Sequence, residues 1–231
     1  MDLKYLFKIP RPLLRQFLST TYPIILTEFV WVLSETVYAI IYSRMGTEEM
    51  TAMTITFPLQ GLSIGLLSGL ASAAGVIVGN QLGAGENQVA LHYAKRLIRL
   101  GIVISLVLGV IVAAVSPFYV SAFNISEQAH HLGIYIVLVF AGFLWVKVAN
   151  MIIAGGILNS GGDSKFVFAM ESTANWIVGV PSGLLLSFVW KQPVYLVYLV
   201  LSLEEVVRFG IGLTRIYSKK WIRNLVKDLA A

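Results

Sequence analysis

Six long apolar runs dominate this chain, and they constrain its fold more than any other feature. A helix that crosses a membrane needs about 20 mostly apolar residues. Residues 17–43, 52–79, 95–121, 132–158, 166–190 and 193–216 each supply such a run. The joints carry helix-breaking residues: Gly46, Gly83-Ala84-Gly85, Pro117, Gly161-Gly162 and Pro193. Composition agrees. The chain is 57% hydrophobic and 13% charged, with mean hydropathy +0.79, whereas a soluble domain is about a quarter charged. The expected fold is an all-α integral membrane bundle of six transmembrane helices. It forms a single lobe over 1–231, with a basic tail at 217–231.

Several function classes fall away at once. There is no cysteine, which removes disulfides and thiolate metal sites. His92, His130 and His131 are too few and too scattered for a histidine metal site. The N-terminal segment does not read as a secretory signal, because Lys4, Lys8, Arg11 and Arg15 interrupt its apolar residues. Enzyme motifs are also missing. There is no His-Glu-x-x-His. Ser160-Gly161-Gly162-Asp163 lacks the first glycine of an intramembrane aspartyl protease. Neither Leu66-Leu67-Ser68-Gly69 nor Val180-Pro181-Ser182-Gly183 completes a rhomboid GxSG. The loop Gly79–Asn87 has neither the GK[ST] of a phosphate loop nor a third glycine for GxGxxG. The chain is not expected to be an enzyme, and no cofactor is called for. Nor does it offer the filter segment or ring-forming repeat of a channel. Asn124-Ile125-Ser126 is a glycosylation acceptor only in a eukaryotic secretory setting.

The net charge of +5 is explained by placement. With six spans both termini share one side. That side collects Lys4, Lys8, Arg11, Arg15, Lys95, Arg96, Arg99, Lys165, Arg215, Lys219, Lys220, Arg223 and Lys227, thirteen cations against Arg44 and Lys191 opposite. Such a bias marks the cytoplasmic face. The expected location is therefore a cell membrane, multi-pass, with both termini cytoplasmic. The basic excess meets membrane lipid and no nucleic acid. Ser218-Lys219-Lys220-Trp221-Ile222-Arg223 reads as a basic-aromatic interfacial anchor.

The interior charges are the functional signal. An ionisable residue at membrane depth is costly and is by default a functional candidate. The first run holds Glu28 and Glu35, seven residues apart and so on one helix face, with Trp31 between them. Pro23 predicts a bend before them. The second run sets Gly61, Gly65, Gly69 and Ala73 at a spacing of four, followed by Gly75 and Gly79, a stripe that lets another backbone come close. The fourth run carries Lys147 and Asn150, which share a face at i, i+3. The fifth begins with Glu171 about one turn inside, with Asn175 at i+4. The sixth holds Glu204, Glu205 and Arg208, where Arg208 can neutralise one acid of its own helix and leave the other unpaired. Five interior acids thus face two interior bases, a surplus of three negatives. Protonation, bound Na⁺ or a cationic substrate can relieve such a surplus. Desolvation raises a carboxyl pKa and a nearby cation lowers it, so a site of this kind can titrate near working pH.

Two stretches then match something specific. One runs Pro23…Glu28…Trp31…Tyr38…Gly46…Ala52…Gly65…Gly69…Gly79-Asn80-Gln81-Leu82-Gly83-Ala84-Gly85…Ala90…Tyr93-Ala94. The other is Gly155-Gly156-Ile157-Leu158-Asn159-Ser160-Gly161-Gly162-Asp163-Ser164. Together they resemble the multidrug and toxic compound extrusion (MATE) family of secondary transporters. At the second stretch the family commonly has G-x-L-R-G/S-x-x-D-T, so Asn159 stands for the arginine and Ser164 for the threonine.

The resemblance implies one six-helix lobe, the C-terminal one, of a two-lobed, twelve-helix protein. It implies a partner: an N-terminal lobe chain, or a second copy of this chain. It implies efflux of drugs or other organic cations by H⁺ or Na⁺ antiport, with the coupling ion in place of a cofactor. The family's C-lobe cation site uses carboxylates on the first and fourth helices. By position the first would be Glu28 or Glu35, which are then the candidate Na⁺ ligands. The fourth-helix position is Lys147, a departure from a two-carboxylate site. The favoured reading is a polar network of Glu28, Glu35, Lys147, Asn150, Glu204, Glu205 and Arg208, joined by Glu171 and Asn175, and coupled to H⁺. Two alternatives stay open: a membrane fragment without transport activity that serves as an interaction module, and a flippase for a lipid-linked substrate.

Overall fold

The structure is a computed structural model and describes residues 11–222. Lys4, Lys8, Arg223, Lys227 and most of the basic tail lie outside the described residues. Six helical segments follow one another: α1 Arg11–Met45, α2 Thr47–Gly83, α3 Asn87–Ser121, α4 Glu127–Leu158, α5 Ser164–Val189 and α6 Val194–Ser218. No strand occurs among the described residues. Five segments, α1 to α5, are long and apolar enough to cross a membrane. The sixth, α6, carries Glu204, Glu205 and Arg208 at its middle.

The helices overrun the expected apolar runs at several ends, because a helix does not stop where apolarity stops. Glu86 to Arg99 is polar and basic, yet α3 begins at Asn87. The expected break at Pro117 does not occur. Pro117 lies inside α3, and the connection shrinks to residues 122–126. A proline deprives the carbonyl four residues back of its N–H partner. Here that carbonyl is Ala113 O, and Ser116 Oγ donates to it at 2.8 Å. With the orphaned carbonyl satisfied, the helix continues.

α4 is the hub. Of its most apolar window 61% is buried, against 22% for α1 and for α2. It packs against α2, α3 and α6, while α1 leans mainly on α5. Its last eight residues, Met151–Leu158, are wound as a π-helix. α5 contains two such stretches, Ala174–Gly179 and Leu185–Val189. Local π-winding is frequent at functional sites, where it re-aims side chains. The two in α4 and the first half of α5 begin directly after Asn150 and at Ala174, beside the polar residues of the interior.

The small-residue stripe of α2 behaves differently from expectation. Nothing lies within 4 Å of the place a Cβ would take at Gly61, Gly65 or Gly69. Those three glycines face an open side of the bundle. The close backbone approach comes one turn further on, between Gly75 and Gly156 of α4. A Cβ on Gly156 would stand 2.7 Å from Ala71 O and 3.0 Å from Ala74 Cβ. The stripe therefore divides: its second part packs within the chain and its first part is left bare.

Candidate functional site

A cavity of about 730 Å³ opens between α1, α2, α4, α5 and α6. Its polar lining includes Glu28 and Glu35 from α1, Gln60, Ser68 and Ser72 from α2, Lys147, Asn150 and Asn159 from α4, Glu171 from α5, and Glu205 and Arg208 from α6. Seven of the nine sequence-predicted site residues line it. Asn175 and Glu204 stand just behind, in contact with Arg208.

Arg208 is the centre. Its Nη1 lies 3.0 Å from Glu171 Oε2 and 3.4 Å from Glu205 Oε2. Its Nη2 lies 3.4 Å from Glu204 Oε1 and donates to Asn175 Oδ1. Lys147 Nζ stands 3.0 Å from Glu205 Oε1. Asn150 Nδ2 donates to Glu205 Oε2 and to Glu205 O, both at 2.8 Å. Glu171, Glu204, Glu205, Arg208, Asn150 and Asn175 are all buried.

This corrects the expectation that Arg208 would neutralise one acid of its own helix and leave the other unpaired. One guanidinium presents several donors in a planar fork and serves Glu204, Glu205 and Glu171 together. Glu205 gains Lys147 as well, so neither helix-mate is alone. Glu171 sits two turns into α5, which starts at Ser164.

Glu28 and Glu35 are different. Both line the cavity, both are exposed, and neither enters an ion pair among the described residues. Nor do they gather a metal site: no group of three or more His, Asp or Glu side chains that could hold a metal ion occurs among the described residues.

Sequence reasoning missed Tyr38, Gln60 and Tyr198. Tyr38 Oη donates to Glu204 Oε2 at 2.6 Å, and Tyr198 Oη donates to Gln60 Oε1 at 2.9 Å. A smaller space of about 70 Å³ lies among them and shares Glu35, Gln60 and Lys147 with the large cavity. The available signal for Tyr38 was its place three residues after Glu35, on the same helix face. Gln60 and Tyr198 had none.

Some buried polar atoms keep free valences. Among the described residues, Asn150 Oδ1 and Asn159 Oδ1, both on cavity-lining residues, have no hydrogen-bond partner, and neither do Asn175 Nδ2, Arg208 Nε and Ser202 Oγ. Buried polar groups are nearly always paired, so each exception asks for a ligand, a water or a role.

At one end of the bundle Arg215 grips Asp163, with Nε to Oδ2 at 2.5 Å and Nη2 to Oδ1 at 2.9 Å. Ser164 Oγ donates to Thr20 O at 3.0 Å. Gly162 takes a positive φ of 74°, which glycine adopts without strain. The glycine-rich turn after α4 is thus tied to both α6 and α1.

The helices, five of them long and apolar enough to cross a membrane, surround a cavity with ionisable side chains on its wall. The MatE family model matches residues 23–185, and the chain belongs to that family. Solved structures agree on the fold. One is a transporter of the MOP superfamily from Pyrococcus furiosus, whose pocket of reverse polarity is described as suggesting a different function. It is 16% identical with a TM-score of 0.82, over 94% of this chain and 48% of that one. Another is the MATE transporter VcmN of Vibrio cholerae in its bent form, at 14% identity and TM-score 0.81, over 93% and 49%. A third is a MATE in complex with MaD3S, at 15% and 0.82, over 93% and 50%. The chain spans about half the length of these structures.

Proposed function

We propose that this chain is one lobe, the C-terminal one, of a secondary transporter that expels an organic cation across the cell membrane in exchange for H⁺. The observation that carries this reading is the division of the interior charge. Arg208 and Lys147 are committed to Glu171, Glu204 and Glu205. Among the described residues, Glu28 and Glu35 remain on the cavity wall without a cation. A cationic guest or a pair of protons can occupy that place, and the two exclude one another by charge. The unpartnered amide oxygens of Asn150 and Asn159 add acceptors, which suits a guest bearing N–H donors. The same acidic lining disfavours a lipid-linked phosphate as substrate.

The α2 positions Gly61, Gly65 and Gly69 have no neighbour within 4 Å of a Cβ among the described residues. A second lobe covers them in this reading, supplied by a separate chain or by a second copy. Secondary transporters commonly place substrate and coupling ion near the midplane between two such repeats.

The test is counter-transport by the complete transporter in proteoliposomes, with ethidium as the probe cation and an imposed proton gradient. Glu35→Gln is expected to abolish gradient-driven movement, and Lys147→Ala to weaken it severely. Unchanged transport in both variants overturns the reading.

A further inference from the structure

The basic-aromatic segment after α6 is not used by the cavity, and the structure gives it a specific neighbour. α3 and α6 approach α4 from either side at the same point. Ile152 Cδ1 lies 2.2 Å from where a Cβ on Gly101 of α3 would be, and Ile153 Cγ2 lies 3.0 Å from that of Gly212 of α6. Two glycines therefore bring both helices against adjacent residues of the π-helical stretch. Lys95, two turns into α3, reaches across to the end of α6, with its Nζ 5.3 Å from the centre of the Tyr217 ring.

The turn beyond α6 is held firmly. Trp221 is fully buried, and its Nε1 donates to Ile216 O at 3.2 Å. Its backbone crosses Gly161, where a Cβ would come within 2.2 Å of Trp221 O. Lys219 closes the helix in the left-handed region at φ 58°. With Trp221 anchored inward, Lys219 and Lys220 are left exposed beside Tyr217. Neither these lysines nor Lys95, Arg96 and Arg99 enter any ion pair among the described residues. Arg215, in contrast, is occupied by Asp163. Among the described residues Lys95, Lys219 and Lys220 have no counter-ion, and Lys219 and Lys220 follow two and three residues after the ring that Lys95 meets, which makes this a place for an anion.

We propose that Lys95, Lys219 and Lys220, with Tyr217, hold the headgroup of one anionic phospholipid between the ends of α3 and α6. Two features select a lipid over a free phosphate. Along α3 the cations give way within one or two turns to Leu100 and Val103, 47% and 59% exposed. Along α6 they give way to Val206 and Val207, 42% and 40% exposed. Charge at the helix ends with bare apolar surface deeper on the same two helices matches a headgroup above acyl chains. Exposed aromatic rings at the ends of membrane helices favour the headgroup level, and Tyr217 is exposed near the end of α6. Its face towards Lys95 orients the ammonium.

The experiment is native mass spectrometry and thermal melting of the complete transporter in detergent. The probes are dioleoylphosphatidylglycerol, dioleoylphosphatidylcholine and inorganic phosphate, in separate arms. Phosphatidylglycerol should stay bound and raise the melting temperature, and phosphatidylcholine should do neither. The triple variant Lys95→Ala, Lys219→Ala, Lys220→Ala should lose roughly tenfold or more in apparent affinity, at the usual worth of a lysine near an anionic surface. The triple Lys→Arg variant should retain binding, as should Lys191→Ala, which removes a cation elsewhere. Equal retention of the two lipids, or full retention by the triple alanine variant, overturns the proposal. So does inorganic phosphate that gives the same shift and displaces the lipid.

Discussion

Arg208 decides the electrostatics of the interior. It faces three carboxylates across two helices, and among the described residues no other cation lies within ion-pair distance of Glu171. Removing one partner of a buried ion network leaves uncompensated charge and costs about 3–5 kcal/mol. Arg208→Met is expected to lower the thermal midpoint of the purified transporter sharply. Adding Glu171→Gln to it should recover part of the loss, because one stranded carboxylate is then neutral. Glu28→Gln should leave the midpoint nearly unchanged, since Glu28 has no ion pair to lose. Thermal melting of the three variants side by side checks the ranking. Residue types were legible in the sequence because ionisable groups at membrane depth are rare enough to stand out. Their pairing was not. Lys147 meets Glu205 across 58 positions, and Tyr38 meets Glu204 across 166, separations over which no helical periodicity carries information.

At the scale of elements, α2 shows what a pattern of small residues does and does not say. Spacing of four puts Gly61, Gly65, Gly69 and Ala73 on one stripe, and the sequence cannot tell a packed stripe from a bare one. The structure separates them. Gly156→Ala drives a methyl group against Ala71 O and should cost about 1–3 kcal/mol through overpacking. Gly65→Ala meets nothing and should be neutral to slightly stabilising, given the helix propensity of alanine. Melting temperatures of these two variants, measured on this chain, test whether the small-residue stripe of α2 meets α4 only in its second part. If Gly65→Leu preserves folding yet abolishes counter-transport, the bare half is where the second lobe seats. Pro117 shows the converse limit. Proline is a sound breaker signal, but a serine one position earlier repaired the lost bond, and no composition rule anticipates that.

For the whole molecule, hydropathy and short joints were enough to give a helical membrane bundle, and two glycine-rich stretches gave the family resemblance. Segment lengths of the apolar runs follow from bilayer thickness, which acts on any sequence alike. What the chain does as a unit depends on its being about half of the solved structures it resembles. The cavity lies between five helices, and Glu28 and Glu35 of α1 are on its wall. The central claim is that Glu28 and Glu35 form a charge reservoir occupied in turn by protons and by a cationic guest.

Proton release on binding measures this most directly. The complete transporter is titrated with tetraphenylphosphonium in weakly buffered detergent solution while the pH is followed. The account predicts that each binding event liberates protons, and that Glu35→Gln reduces the number liberated while the cation still binds. Binding that liberates no protons at any pH across the working range, or an unchanged release in Glu35→Gln together with Glu28→Gln, would contradict it.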